Sequence, residues 1–407
     1  MHRQVLLLAS SQALFQTVSV LVMTVGGLAG GQIASSPGLA TAPIATMFLG
    51  TAVATFPASL WMTRVGRRAG FIAGALLGTA GGLVAALGIW LGSLALLVLG
   101  TFLVGAYQGF AQFYRFAAGE VADEAFRPRA ISLVLAGGIV AAVAGPMLGH
   151  LGASLVGPQY AGSFLLLAVV SFVAAAILLG LRVPIPKADP GQAMKVRPWS
   201  AIVSQPTYLV ALLGAATGYG IMILAMTATP IAMVHHHHEL STASTVIQLH
   251  VLGMFLPSFF TGSLITRFGV LPIMFAGVAV LVGHVLMTLT GVGFGSFAGA
   301  LVMLGVGWNF LYIGGTTLLT TTYSTAEKGR AQAINDMTIF AVGLAGSLSA
   351  AALLQSVGWQ VLNLLLLPWL AIAALALIWL GYRRSQREAS SRRVAVQARR
   401  AGQAAPR

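Results

Sequence analysis

The sequence contains no cysteine, and only 8 of its 407 residues are acidic. The first absence excludes disulfides and thiolate metal sites and leaves the redox compartment open. The second, with charged residues at 7% of the chain and apolar ones at 57%, excludes an ordinary water-facing surface. Such a chain needs lipid as its outer solvent and reads as an all-α polytopic membrane protein. Scarcity of acid also restricts coupling chemistry. Only Glu120 and Asp336 fall near the ends of apolar segments, and no carboxylate is expected at mid-depth.

What is present is a series of twelve apolar segments, each near the roughly 20 residues that cross a hydrocarbon core of about 30 Å. They fall at about 4–26, 41–62, 69–91, 93–119, 130–154 and 160–182, then 206–233, 242–265, 270–291, 294–320, 331–354 and 358–381. The first outruns a signal-peptide core and is read as an uncleaved span. If the segments alternate, 21 of the 22 basic residues lie on one side of the membrane. That asymmetry predicts cytoplasmic termini and an even number of spans in a bacterial-type inner membrane. The net charge of +14 therefore describes topology, not a nucleic-acid partner.

Two local patterns recur about 200 residues apart. The stretch 59–66, SLWMTRVG, is echoed by GSLITRFG at 262–269, and FRPRA at 126–130 by EKGRA at 327–331. Duplication of a six-helix unit follows, giving twelve transmembrane helices in two pseudo-symmetric six-helix bundles. The expected parts are an N-terminal bundle 1–182, a cytoplasmic linker 183–205 with four prolines, and a C-terminal bundle 206–382. A basic tail, 383–407, is expected to be disordered and to lie on anionic lipid.

The one basic residue outside this pattern is Arg115. On a helix, Gly105, Gln108, Gln112, Arg115 and Gly119 share a face, flanked by Tyr107, Phe110 and Tyr114. A guanidinium at mid-depth costs about 3 kcal/mol on insertion scales, so Arg115 is expected to face protein or water. Snorkelling or pairing with Glu120 are its alternatives. In the first span Gln12, Gln16, Ser19 and Met23 share a face; in the tenth, Asn309, Tyr312, Thr316 and Thr320 share one beside Trp308. Amides and hydroxyls at such places also serve simply as interhelical hydrogen-bond partners. For Asp336, at the start of the eleventh segment, a gate salt bridge to Arg64 or Arg67 competes with a proton site. His235–His238 and Glu239 sit at an outer mouth, but adjacent imidazoles do not build a tetrahedral metal site. No metal and no cofactor are expected.

Six plus six spans, cytoplasmic termini and a basic middle linker resemble the major facilitator superfamily. The loop Ser59-x-x-x-Thr63-Arg64-x-Gly66-Arg67-Arg68 is similar to that family's Gly-x-x-x-Asp-Arg-x-Gly-Arg-Arg gate signature, with Ser59 and Thr63 in place of the Gly and Asp. Gly145-Pro146-x-x-Gly149 resembles the signature of proton-driven antiporters, departing at His150; Gly105-x-x-Gln108-Gly109 resembles a fourth-helix signature that has Arg at its first position. The stretch 112–118, QFYRFAA, with Gly307-Trp308-Asn309-Phe310, resembles a bacterial branch that includes riboflavin transporters and implies a planar aromatic cargo.

The resemblance implies that the first, fourth, seventh and tenth spans surround a cavity. Solute binding is accordingly expected at Gln12, Gln16, Tyr107, Gln108, Gln112, Arg115, Trp308, Asn309, Tyr312 and Thr316. Gating is expected at Arg64, Gly66, Arg67, Arg68, Glu120, Gly145, Pro146 and Asp336. The expectation is a monomeric, non-enzymatic secondary transporter for a small organic solute, working by alternating access and coupled to protons. An uncoupled facilitator and riboflavin-like uptake in place of efflux are the alternatives.

Overall fold

The computed structural model describes residues 2–35, 39, 42–183 and 197–403, so most of the expected linker 183–205 lies outside the described residues. Among the described residues, twelve helices are long and apolar enough to cross a membrane. The first six are Arg3–Ile33, Ala42–Val65, Arg67–Trp90, Leu94–Val121, Arg127–Ala153 and Ala161–Leu178. The second six are Pro206–His235, Thr245–Phe268, Val270–Thr288, Phe294–Leu319, Lys328–Ala350 and Ala352–Gln386. In lipid only a helix satisfies the backbone polar groups of a single segment, which is why apolar run length alone locates these elements.

The two bundles repeat one another in detail. In the first, the second span packs on the fourth, the third on the fourth and sixth, and the first on the fifth and sixth. The second bundle pairs eighth with tenth, ninth with tenth and twelfth, and seventh with eleventh and twelfth. Close approaches are duplicated too. A Cβ on Gly105 would lie 2.0 Å from the Met47 carbonyl oxygen, and one on Gly305 2.6 Å from that of His250. Small residues there let backbones meet, which replaces the hydrophobic driving force that lipid cannot supply. The turns after the second and eighth spans are also alike, with Gly66 at φ 88° and Gly269 at φ 91°, a region that favours glycine.

The halves meet along two seams, second span against eleventh and fifth against eighth. The duplicated motifs meet crosswise there. Ser59 donates to the Gly329 carbonyl at 2.7 Å, while a Cβ on Gly262, the counterpart of Ser59, would lie 2.6 Å from the carbonyl oxygen of Pro128, the counterpart of Gly329. The fifth span is interrupted at Gly137 and the eighth near Pro257. These interruptions face each other, since a Cβ on Gly138 would lie 2.6 Å from the Phe255 ring.

Two features differ from expectation. The fourth span is broken between Ala111 and Tyr114, where Phe113 N–H turns to the Phe110 carbonyl at 3.2 Å. The final helix continues as Leu366–Gln403, so the basic segment extends the twelfth span where its composition predicts disorder. Its many Arg, Ala and Gln residues are good helix formers.

Candidate functional site

Arg115 stands just past the break in the fourth span and is 2% exposed, so it neither faces lipid nor snorkels. Its Nη2 donates to Asp336 Oδ1 of the eleventh span at 2.5 Å, across the seam between halves. Its Nη1 donates to Tyr312 Oη of the tenth span and to Gln112 Oε1, the latter at 3.2 Å. The guanidinium carbon also lies over the Phe116 and Tyr312 rings, 4.6 and 4.5 Å from their centroids. Charge pairing, hydrogen bonds and ring faces together hold a cation that burial alone would expel.

Aromatic rings continue the cluster on the C-terminal side. Trp308 stacks on Tyr312 with centroids 4.8 Å apart and planes 17° from parallel. Tyr219 of the seventh span lies 6.0 Å from Tyr312, and Phe340 of the eleventh lies edge-on to Tyr219 at 5.4 Å. Several polar atoms here are buried without partners: Arg115 Nε, Asp336 Oδ2 and Trp308 Nε1. Unpaired buried donors and acceptors are costly, and these three stand beside a stacked ring pair.

The expected binding set divides. Arg115, Gln112, Trp308 and Tyr312 come together, and Thr316 lies buried one turn beyond Tyr312. Asn309 is elsewhere, donating to the Met254 carbonyl and Ser258 Oγ, both at 2.6 Å, and accepting from Thr261 at 2.7 Å. It joins the tenth span to the eighth within one bundle. Gln108 accepts from Thr51 of the second span at 3.1 Å. Tyr107 is fully buried edge-on to Phe15, with centroids 5.6 Å apart. Gln12 is buried and Gln16 half-buried, and among the described residues neither hydrogen-bonds to the Arg115 cluster. Tyr219 and Phe340 escaped sequence reasoning, although Tyr219 stands conspicuously between Gly218 and Gly220.

The gate residues are also re-paired. Asp336 meets Arg115, not Arg64 or Arg67, and it lies eight residues inside the helix that begins at Lys328, too deep for the N-terminal dipole. Glu120 pairs not with Arg115 but with Arg67 at 2.8 Å and, across the seam, with Lys328 at 2.9 Å. Arg67 also reaches Gln332 at 2.6 Å. Arg64 and Arg68 are exposed, and Gly66 forms the turn between them. Gly145 lies at the crossing with the first span, where a Cβ would come within 2.6 Å of Val20, and Pro146 follows it half-buried. Nearby, Arg197 grips Glu327 through Nε at 2.8 Å and Nη2 at 2.7 Å. That guanidinium, helped by backbone N–H groups of Ser324 and Arg197 against the effect of burial, holds the Glu327 carboxyl well below the usual carboxylate range.

Among the described residues no group of three His, Asp or Glu side chains is placed to hold a metal. His238 instead engages the Val292 carbonyl at 2.7 Å.

The family model of the Major Facilitator Superfamily matches residues 6–236 and 210–404. The Riboflavin transporter RfnT of Brucella anthropi is 40% identical over 379 residues, 93% of this chain and 95% of that one. An uncharacterized MFS-type transporter of Bacillus subtilis, YddS, is 30% identical over 85% of each chain. Among solved structures, the transporter FucP in its outward conformation shares the fold with a TM-score of 0.70 at 16% identity, over 92% of this chain and 98% of that one.

Proposed function

The chain belongs to the major facilitator superfamily, and on that premise we propose that it carries a planar heteroaromatic solute of the flavin type into the cell by alternating access. The observation that carries this reading is the Trp308–Tyr312 stack beside Arg115 and Gln112 in the seam between halves. A flavin presents a flat ring system with one apolar edge and one edge of carbonyls and ring nitrogens. The ring system suits an aromatic shelf, and the polar edge suits a fixed guanidinium and an amide. The name of the Brucella relative supports the same class.

In the proposed cycle the arginine-rich end is cytoplasmic and closed in the state described above. Closure rests on Arg115–Asp336, Lys328–Glu120, Arg67–Gln332 and Ser59–Gly329, each joining one half to the other. Solute entering from the outer side stacks on Trp308 and competes with Asp336 for Arg115. Loss of that cross-seam pair weakens the closure, and the halves rock apart at the cytoplasmic end. Gly145 and Pro146 permit the close first–fifth crossing about which the N-terminal half turns, and the Arg64–Arg68 turn caps the opening. Asp336 is the proposed coupling group: a proton on its carboxyl cancels its hold on Arg115.

Uptake of riboflavin by proteoliposomes tests this. The expected result is saturable uptake by the unmodified chain, stimulated by an inward-directed proton gradient and reduced in Arg115→Lys and Trp308→Leu. Uptake indifferent to the gradient removes the coupling; absence of uptake removes the cargo.

A further inference from the structure

The arginine-rich end carries a cationic cavity outside the seam. It has a volume of about 230 Å³ and is lined by Arg3, Gln4, Arg68, Leu179, Gly180 and Arg182. Three elements converge there: the start of the first span, the first turn of the third, and the segment leaving the sixth. Backbone frames it. Gln4 Oε1 accepts the backbone N–H of Arg182 at 2.7 Å, and Leu7 lies 3.5 Å from where a Cβ on Gly180 would sit.

The ion pairs of this end are made by Arg67, Arg115, Arg197 and Lys328. Among the described residues, Arg3, Arg68 and Arg182 have no carboxylate partner, and no acidic side chain lines the cavity. Three convergent like charges repel, and an anion between them removes that repulsion. The N-termini of the first and third spans add two positive dipole ends, against one negative end from the sixth. Beside this polar cavity lies apolar surface. Leu179, which lines it, is 57% exposed, and Leu6, one turn from Arg3, is 66% exposed.

We propose that this cavity binds the phosphate headgroup of an anionic glycerophospholipid, with the acyl chains against Leu6 and Leu179. The three guanidiniums, with the Gln4 amide as a further donor, take the phosphate oxygens, for which planar fork geometry is well suited. Free phosphate shares that chemistry, but the exposed leucines at the rim match a ligand with a hydrocarbon tail. The site adjoins the gate, since Arg68 follows directly on Arg67, which ties Glu120 and Gln332 together. An occupied cavity would therefore fix the first turn of the third span beside the closing contacts. Nothing in this assignment depends on which solute is carried.

The test is native mass spectrometry of the purified full chain titrated with phosphatidylglycerol, phosphatidylcholine or inorganic phosphate. The Arg3→Gln/Arg182→Gln variant is compared with Arg129→Gln/Arg330→Gln, which removes the same charge from exposed positions elsewhere at that end. Phosphatidylglycerol is expected to bind the unmodified chain and the second variant alike, and the first roughly thirtyfold more weakly, the effect of two interfacial arginines. Phosphatidylcholine is expected to bind weakly to all. If the first variant does not fold, Arg68→Gln carries the comparison with a loss of about fivefold. Equal weakening in both double variants, phosphatidylcholine held as tightly as phosphatidylglycerol, or inorganic phosphate binding as tightly as the lipid overturns the proposal.

Discussion

Replacing Asp336 by Asn removes one charge from a buried pair whose side chains are 2% and 1% exposed and 2.5 Å apart. Leaving the other charge buried and unpaired costs about 3–5 kcal/mol. Arg115 keeps Tyr312, Gln112 and two ring faces, so the lower figure applies. In the proposed cycle water reaches Arg115 when the arginine-rich end opens and the penalty disappears, so the substitution disfavours the closed state alone. A cost of about 3 kcal/mol changes the ratio of closed to open molecules on the order of a hundredfold. The absence of cysteine makes the assay direct. Spin labels on Arg129→Cys and Arg330→Cys, exposed at the arginine-rich ends of opposite halves, report the distance across the proposed closure. The unmodified background should give one short distance, and Asp336→Asn a dominant longer one. Arg115→Met with Asp336→Leu removes both charges and should restore the short distance while abolishing transport. An unchanged distance in Asp336→Asn would refute the assignment of this pair to the closure.

Three further outcomes follow from the geometry. Asn309→Ala strands Ser258 Oγ, while Thr261 keeps its bond to the Pro257 carbonyl, and should lower stability by about 1–3 kcal/mol, read as a fall in the thermal midpoint, with the KM of the proposed uptake unchanged. Gly105→Ala brings a Cβ within 2.0 Å of the Met47 carbonyl oxygen and should force the second and fourth spans apart, lowering the midpoint by more than a surface substitution does. Glu327 is held by Arg197, so its carboxyl loses protons more readily folded than unfolded. Its contribution is complete above the ordinary carboxylate pKa and is lost as pH falls through the lowered folded value. The midpoint difference between the unmodified chain and Glu327→Gln should thus persist from pH 7 to pH 5 and shrink only in stronger acid. A difference that vanishes between pH 7 and pH 5 would contradict this.

The spans were legible because a bilayer demands uninterrupted apolar runs, and the duplication because its turns repeat with their glycines and arginines. The directions of individual side chains were not. Tyr312 and Asn309 stand three residues apart on the tenth span, close enough to share a nominal face, yet one looks into the seam and the other into its own bundle. Periodicity gives a residue's angle about its helix but not the neighbour at that angle. The depth of Asp336 was misjudged because the apolar run begins at Ala331 while the helix begins at Lys328; charged residues lengthen a helix without lengthening its hydropathy signal. The partner of Arg115 was open for a related reason. Glu120 and Asp336 lie at the same end, and only packing sends the nearer in sequence to Arg67 and the distant one to Arg115.

The central claim is that a flavin-type solute stacks on Trp308 in the seam faced by Arg115. Riboflavin is itself fluorescent, and its emission is quenched when its ring stacks on indole. Titrating riboflavin with purified protein should give saturable quenching that disappears in Trp308→Leu and weakens on the order of tenfold in Arg115→Lys, both folded by thermal melting. Saturable quenching that survives both substitutions, or none with the unmodified chain, would contradict it.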